Sequence, residues 1–129
     1  MRSSTVLTIL FFAAGCTNGP AVSSLPFVTA PIGSDATFFG AGTAMTAELV
    51  AVQDSGYVFI NSRDRVVFAP FASVRNLRIP TLRRAVSGTP SEANRRALRL
   101  ASRYPQGVSP GILKALLARR SQPAVERIQ

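Results

Sequence analysis

Between Ala36 and Ile79 the chain never runs more than about ten residues without a residue that turns it, and this punctuation limits what it can fold into. Apolar stretches at Ala36–Phe39, Ala44–Gln53, Tyr57–Ile60, Arg65–Ala69 and Arg75–Ile79 are separated by Gly40-Ala-Gly42, Asp54-Ser-Gly56, Asn61-Ser-Arg-Asp64 and Pro70. Such stretches are too short for helices that bury a stripe. They suit strands, with Gly and Asp supplying the backbone angles that tight turns need. Phe71 to Val74 reads as one helical turn, and Pro80 stops the last strand. Five short strands at this spacing predict a small bent β-barrel or sheet over 36–79, within a module spanning 35–80.

The chain beyond this module has a different texture. Residues 81–89 form a basic linker. Thr89-Pro-Ser-Glu92 has the spacing of a capping box, with Thr89 as N-cap, Pro90 at the first helical position and Glu92 three residues after the cap. The predicted helix runs to about Arg103, with Ala93, Ala97, Leu100, Ala101 and Tyr104 on its apolar side. Ser109-Pro110 repeats the device, and a second helix runs to about Arg120 with Ile112, Leu113, Leu116 and Leu117 on one stripe. The short connection predicts an αα-hairpin over 90–120, followed by a tail at 121–129. The expected fold class is therefore α+β.

Charge divides the chain in the same place. The net charge is +9. From Cys16 to Val74 there are two arginines, Arg63 and Arg65, against Asp35, Glu48, Asp54 and Asp64. From Arg75 onward eleven arginines and Lys114 face only Glu92 and Glu126. Such asymmetry suits an anionic partner, lipid or lipopolysaccharide. Arg83, Arg84, Arg95, Arg96, Arg99 and Arg103 are the candidate contacts. A solvated helix face in an arginine-rich coding sequence produces the same pattern.

The absence of His excludes Ser–His–acid and Cys–His catalysis, and zinc would lack its usual ligands. Asp54 and Asp64 fall in turns, where Asp is expected for backbone reasons. Gly40-Ala-Gly42 lacks the Lys and further Gly of a phosphate loop. No catalytic residue, metal site or cofactor is expected.

The N-terminus has a layout of its own. Met1–Thr5 is polar with one cation, Arg2, and Val6–Ala14 is an uncharged apolar run of nine residues. This is the pattern of a secretory leader, and it is shorter than the roughly 20 apolar residues that span a bilayer. The run ends in Ala13-Ala-Gly-Cys16, which resembles the lipobox of bacterial lipoproteins, with Ala13 where that family usually has Leu. The resemblance implies a signal peptide at 1–15, a diacylglycerol on the Cys16 sulfur, and an envelope lipoprotein. Thr17, in place of the Asp that favours inner-membrane retention, points to the outer membrane, facing the periplasm. Residues 16–34, uncharged until Asp35 and rich in Ser, Thr, Gly and Pro, read as a linker between lipid and module.

The order of elements over 42–79 resembles the small bent barrels of the Sm-like and Src-homology type: a strand, a short turn, two apolar strands, one helical turn and a last strand. No RNA-binding signature stands at Asp54–Gly56 or Asn61–Asp64, and nucleic acid is not an expected partner. The function that follows is structural or adaptor-like, with a membrane, an envelope protein or a second copy of the chain as partner. The alternative is an anionic-lipid or lipopolysaccharide binder.

Overall fold

The computed structural model describes residues 32–129. The expected signal peptide, the lipidation residue Cys16 and most of the linker lie outside the described residues. The fold is α+β. In chain order it comprises β1 (Asp35–Gly40), β2 (Thr43–Val52), β3 (Gly56–Asn61), β4 (Val66–Pro70), a tight helical turn at Phe71–Ser73, and β5 (Val74–Arg78), followed by helix α1 (Glu92–Ala101), helix α2 (Pro110–Arg119) and β6 (Glu126–Arg127).

The strands form one mixed sheet in the order β5-β1-β2-β3-β4-β6. All pairs are antiparallel except β4 with β6. The sheet is not closed, because β5 and β6 are its edges. The predicted segments are strands, but the count is six, not five. The extra strand comes from the expected tail.

Local chemistry explains the turns. Ala41 (φ 54°) and Gly42 (φ 78°) join β1 to β2 with two residues at positive φ. That is the twist a two-residue hairpin requires. The side chain of Asn61 caps the β3–β4 turn, its Oδ1 accepting from the N–H of Arg63 and of Arg65, both at 3.0 Å.

Strand alternation sorts the core into two faces. One face carries Phe38, Leu49, Val52, Tyr57, Phe59, Val67 and Ala69. Phe38 stacks on Phe59 with ring centroids 4.4 Å apart. The other face carries Val50, Ala51, Val58, Ile60 and Val66. The two helices anchor on opposite faces. Leu98 of α1 enters the first cluster, whereas Leu116 of α2 enters the second. The helices at 90–120 thus cover opposite faces of the sheet, where the sequence predicted an antiparallel αα-hairpin. β3 is buried from Gly56 to Ile60 because both its faces are covered.

Several boundaries move. The N-cap of α1 is Ser91, not Thr89: Ser91 Oγ accepts from the Asn94 N–H at 3.2 Å. Pro90 precedes the cap and is buried. The Ser109 cap and Pro110 start of α2 match expectation. The segment 81–89 is not a free linker. Val86 exchanges backbone hydrogen bonds of 2.8 and 2.9 Å with Leu77, covering part of the β5 edge. The expected linker at 16–34 also ends early. Ser34 accepts from the Leu49 N–H and donates to the Ala101 carbonyl, both at 2.9 Å. Gly33 is required here, since a Cβ would run into the Leu49 carbonyl oxygen.

Candidate binding cleft

A bulge in β2 organises one end of the molecule. Register shifts between Leu49 and Ala51, so the outward carbonyls of β2 seek partners elsewhere. The segment after α1 supplies them: the Arg103 N–H donates to Leu49 (3.1 Å) and the Tyr104 N–H to Val50 (2.8 Å). Gln53 then fastens the same segment further along. Its Oε1 accepts from the Val108 N–H and its Nε2 donates to the Val108 carbonyl, each at 3.1 Å. A primary amide presents a donor and an acceptor side by side, and so matches one residue of backbone as a neighbouring strand would.

With the α1–α2 loop held against the β2–β3 turn, an open cleft of about 620 Å³ remains between that turn, the loop, α2 and the C-terminal strand. This is within the usual range for ligand sites. Val58, Phe68, Leu113 and Val125 give it an apolar floor, and Gln53, Asp54, Ser55 and Gln106 a polar rim. Two cations line it, Arg99 from α1 and Arg127 from β6. The Arg127 guanidinium lies 5.2 Å from the Phe68 ring centroid, a cation–π position that leaves its N–H groups free to donate. Among the described residues the ion pairs are Arg65–Glu126, Arg103–Glu48 and Arg120–Asp64, so neither cleft arginine has an acid within pairing range.

The six arginines singled out from sequence do not form one patch. Arg83 and Arg84 are exposed in the loop after β5, and Arg96 is exposed on α1. Arg95 lies over the Phe71 ring, 5.1 Å from its centroid, and donates to the Gln53 carbonyl at 3.4 Å. Arg95, Arg96 and Arg99 share a small cavity with Glu92. Arg103 is spent internally. It grips Glu48 with two hydrogen bonds of 2.7 and 2.6 Å, which raise its pKa above the ordinary value. Glu48 also accepts from the Gly33 N–H at 2.8 Å.

The four acids of the first half are likewise placed. Glu48 is committed to Arg103 and Asp64 to Arg120. Asp54 stands on the cleft rim, and Asp35 opens β1, opposite Glu48 in the register. Among the described residues no group of His, Cys, Asp and Glu is arranged to hold a metal ion, and no helix is long and apolar enough to cross a membrane.

Sequence reasoning missed Arg127, Gln53 and Gln122. Arg127 sits in a strand of two residues, too short to leave a pattern. The glutamines act through backbone that the chain brings to them from far away, 55 and 56 residues distant. No family model matches the chain, and neither the curated proteins nor the solved structures include one that is significantly similar to it.

Proposed function

We propose that the protein is a bacterial envelope lipoprotein, anchored through acylated Cys16 and facing the periplasm from the outer membrane, whose sheet-and-helix module binds a partner protein. The anchor is supported by the lipobox resemblance at Ala13–Cys16 and the leader before it. The binding role is supported by one observation, the two unpaired guanidiniums of Arg99 and Arg127 over an apolar floor. That combination suits a peptide segment with an apolar side chain beside a carboxylate. Arginine meets carboxylate through a planar fork, and Arg and aromatics are enriched at interfaces. The strand order β5-β1-β2-β3-β4, with its helical turn between β4 and β5, supports a finer reading of the sheet as a small Sm-like or Src-homology-type barrel left open at its edges.

Site-specific photo-crosslinking tests the binding role. A photoreactive residue at Leu113 or Val125 should give one discrete adduct in intact envelopes, lost on Arg99→Glu with Arg127→Glu. The same residue at Thr46, on β2 away from the cleft, should give none. Equal adducts at Thr46, or none from the cleft, would refute the reading. Tagged fatty acid should label the wild type and not Cys16→Ala, and equal labelling would remove the anchor.

A second reading, contact with anionic lipid or lipopolysaccharide, is favoured by the exposure of Arg83, Arg84 and Arg96. Arg103 takes no part in it, being held by Glu48.

A further inference from the structure

The exposed large apolar side chains among the described residues are Ile32 (77% exposed), Leu100 (75%) and Phe39 (45%). The two most exposed lie together. Ile32, Thr81 and Leu100 are among the residues that line one surface depression of about 480 Å³. Largely exposed aliphatics that share a surface depression point to an apolar environment other than the protein's own core. Arg96 stands one helical turn before Leu100, on the same face of α1, and is exposed. Arg83 and Arg84 follow Thr81 by two and three positions and are exposed as well.

The acids nearest this face in sequence are Asp35 and Glu92. Glu92 already shares its cavity with Arg95, Arg96 and Arg99. The exposed Asp35 stands three positions after Ile32, so the segments that carry these aliphatics supply three exposed cations, Arg83, Arg84 and Arg96, against that one acid. That is the composition of surfaces that settle into a bilayer interface, where aliphatic side chains enter the acyl boundary and arginines meet phosphates.

The exposed arginines favour an anionic lipid surface over a protein as the occupant, and position in the chain brings such a surface within reach. Ile32 stands sixteen positions after Cys16, a connection that spans at most roughly 55 Å fully extended. An anchor at Cys16 would keep this face within that distance of a bilayer.

We propose that Ile32 and Leu100, with Arg96 one turn away on α1 and Arg83 and Arg84 in the segment after Thr81, form a docking face that seats the module on an anionic lipid surface. The inference deepens the second reading above, and it uses the Cys16 anchor only to bring the bilayer within reach.

The chain contains no Trp, so a single introduced Trp is a clean reporter. In the chain from residue 16 onward, carrying Cys16→Ala, Leu100→Trp should shift its emission to the blue on vesicles containing phosphatidylglycerol and not on pure phosphatidylcholine. Phe39→Trp should not shift on either. Each of Arg83→Gln, Arg84→Gln and Arg96→Gln should lower partitioning about fivefold, and the shift should fade with added salt. Arg119→Gln, on α2, should change neither. Equal shifts at positions 39 and 100, no shift at 100, or a shift indifferent to the three arginines would overturn the docking face. Because the anchor is absent from this experiment, failure of fatty-acid labelling at Cys16 leaves its outcome separate: labelling tests the lipoprotein, and the vesicles test the face.

Discussion

The side-chain amide of Gln122 stands beside Val66 as a strand residue would. Gln122 Oε1 accepts from the Val66 N–H and Gln122 Nε2 donates to the Val66 carbonyl, both at 2.8 Å, and Nε2 also donates to the Ala124 carbonyl at 2.9 Å. Gln122 is only 4% exposed. The start of β4 is thereby closed by a side chain, and β6 takes over the edge from Val67 onward. Gln122→Leu keeps the volume and strands two buried backbone groups, so it should cost about 2–4 kcal/mol. Urea unfolding checks this. A loss below about 0.5 kcal/mol would mean that water satisfies Val66 instead.

Glu48 and Arg103 tie three segments together: β2, the loop after α1, and the Gly33 backbone. Both side chains are mostly buried, 14% and 13% exposed. Glu48→Gln keeps the shape and leaves the Arg103 charge without its counter-ion. The expected destabilisation is about 2–3 kcal/mol, short of the cost for a fully buried pair. Replacing both residues with Gln and Met should recover part of it, because no charge is then left unpaired. Arg103 is a base whose pKa is raised in the folded state, chiefly by its hydrogen bonds to Glu48, so its contribution is complete below its ordinary value and is lost only in stronger alkali.

The contrast between Leu98 and Leu100 gives a comparison within one helix. Leu98 is fully buried and Leu100 is 75% exposed. Leu98→Ala should cost about 2–5 kcal/mol and Leu100→Ala less than about 0.5. Thermal unfolding of the two variants side by side decides it. Similar losses would show that α1 lies on the sheet by a different face.

That contrast also shows what the sequence could and could not disclose. The strands were legible because burial on one face forces alternation, as at Ala36, Phe38 and Gly40 in β1, and because Gly, Asn and Pro fix where each must end. Helix α1 was legible as a helix but not in its orientation. Leu98 and Leu100 are two positions apart, on opposite sides, and the alanines fit either face. The stripe through Ala97, Leu100 and Ala101 is as regular as the true one, and only the sheet beneath chose Leu98. The cleft was less legible still. Arg99 was among the candidate arginines, but its neighbour Arg127 is brought from the C-terminus by the pairing of β6 with β4. Of the six arginines close in sequence, two are drawn off by residues that sequence order does not place beside them: Arg103 follows Glu48, and Arg95 follows the Phe71 ring.

Tyr57 is fully buried, edge-on to Phe71 with centroids 4.9 Å apart, and its hydroxyl has no hydrogen-bond partner among the described residues. A buried hydroxyl without a partner gives up its hydration and receives nothing. Tyr57→Phe removes that loss and keeps the ring, so it should leave stability unchanged or raise it by about 1 kcal/mol. Burial pushes the phenol pKa from 10.0 up to about 12, with the Arg95 charge pulling the other way. The folded protein thus holds the proton more tightly than the unfolded chain does. The sign follows from proton linkage: the wild type keeps its full stability below pH 10 and loses it progressively as pH rises from 10 towards 12. Tyr57→Phe should lose less over the same interval, so the gap between the two proteins should widen with alkali. Urea midpoints at pH 8, 10 and 11 measure that gap. A constant gap would place the Tyr57 hydroxyl in contact with water or a hidden acceptor, and a less stable variant at pH 8 would do the same.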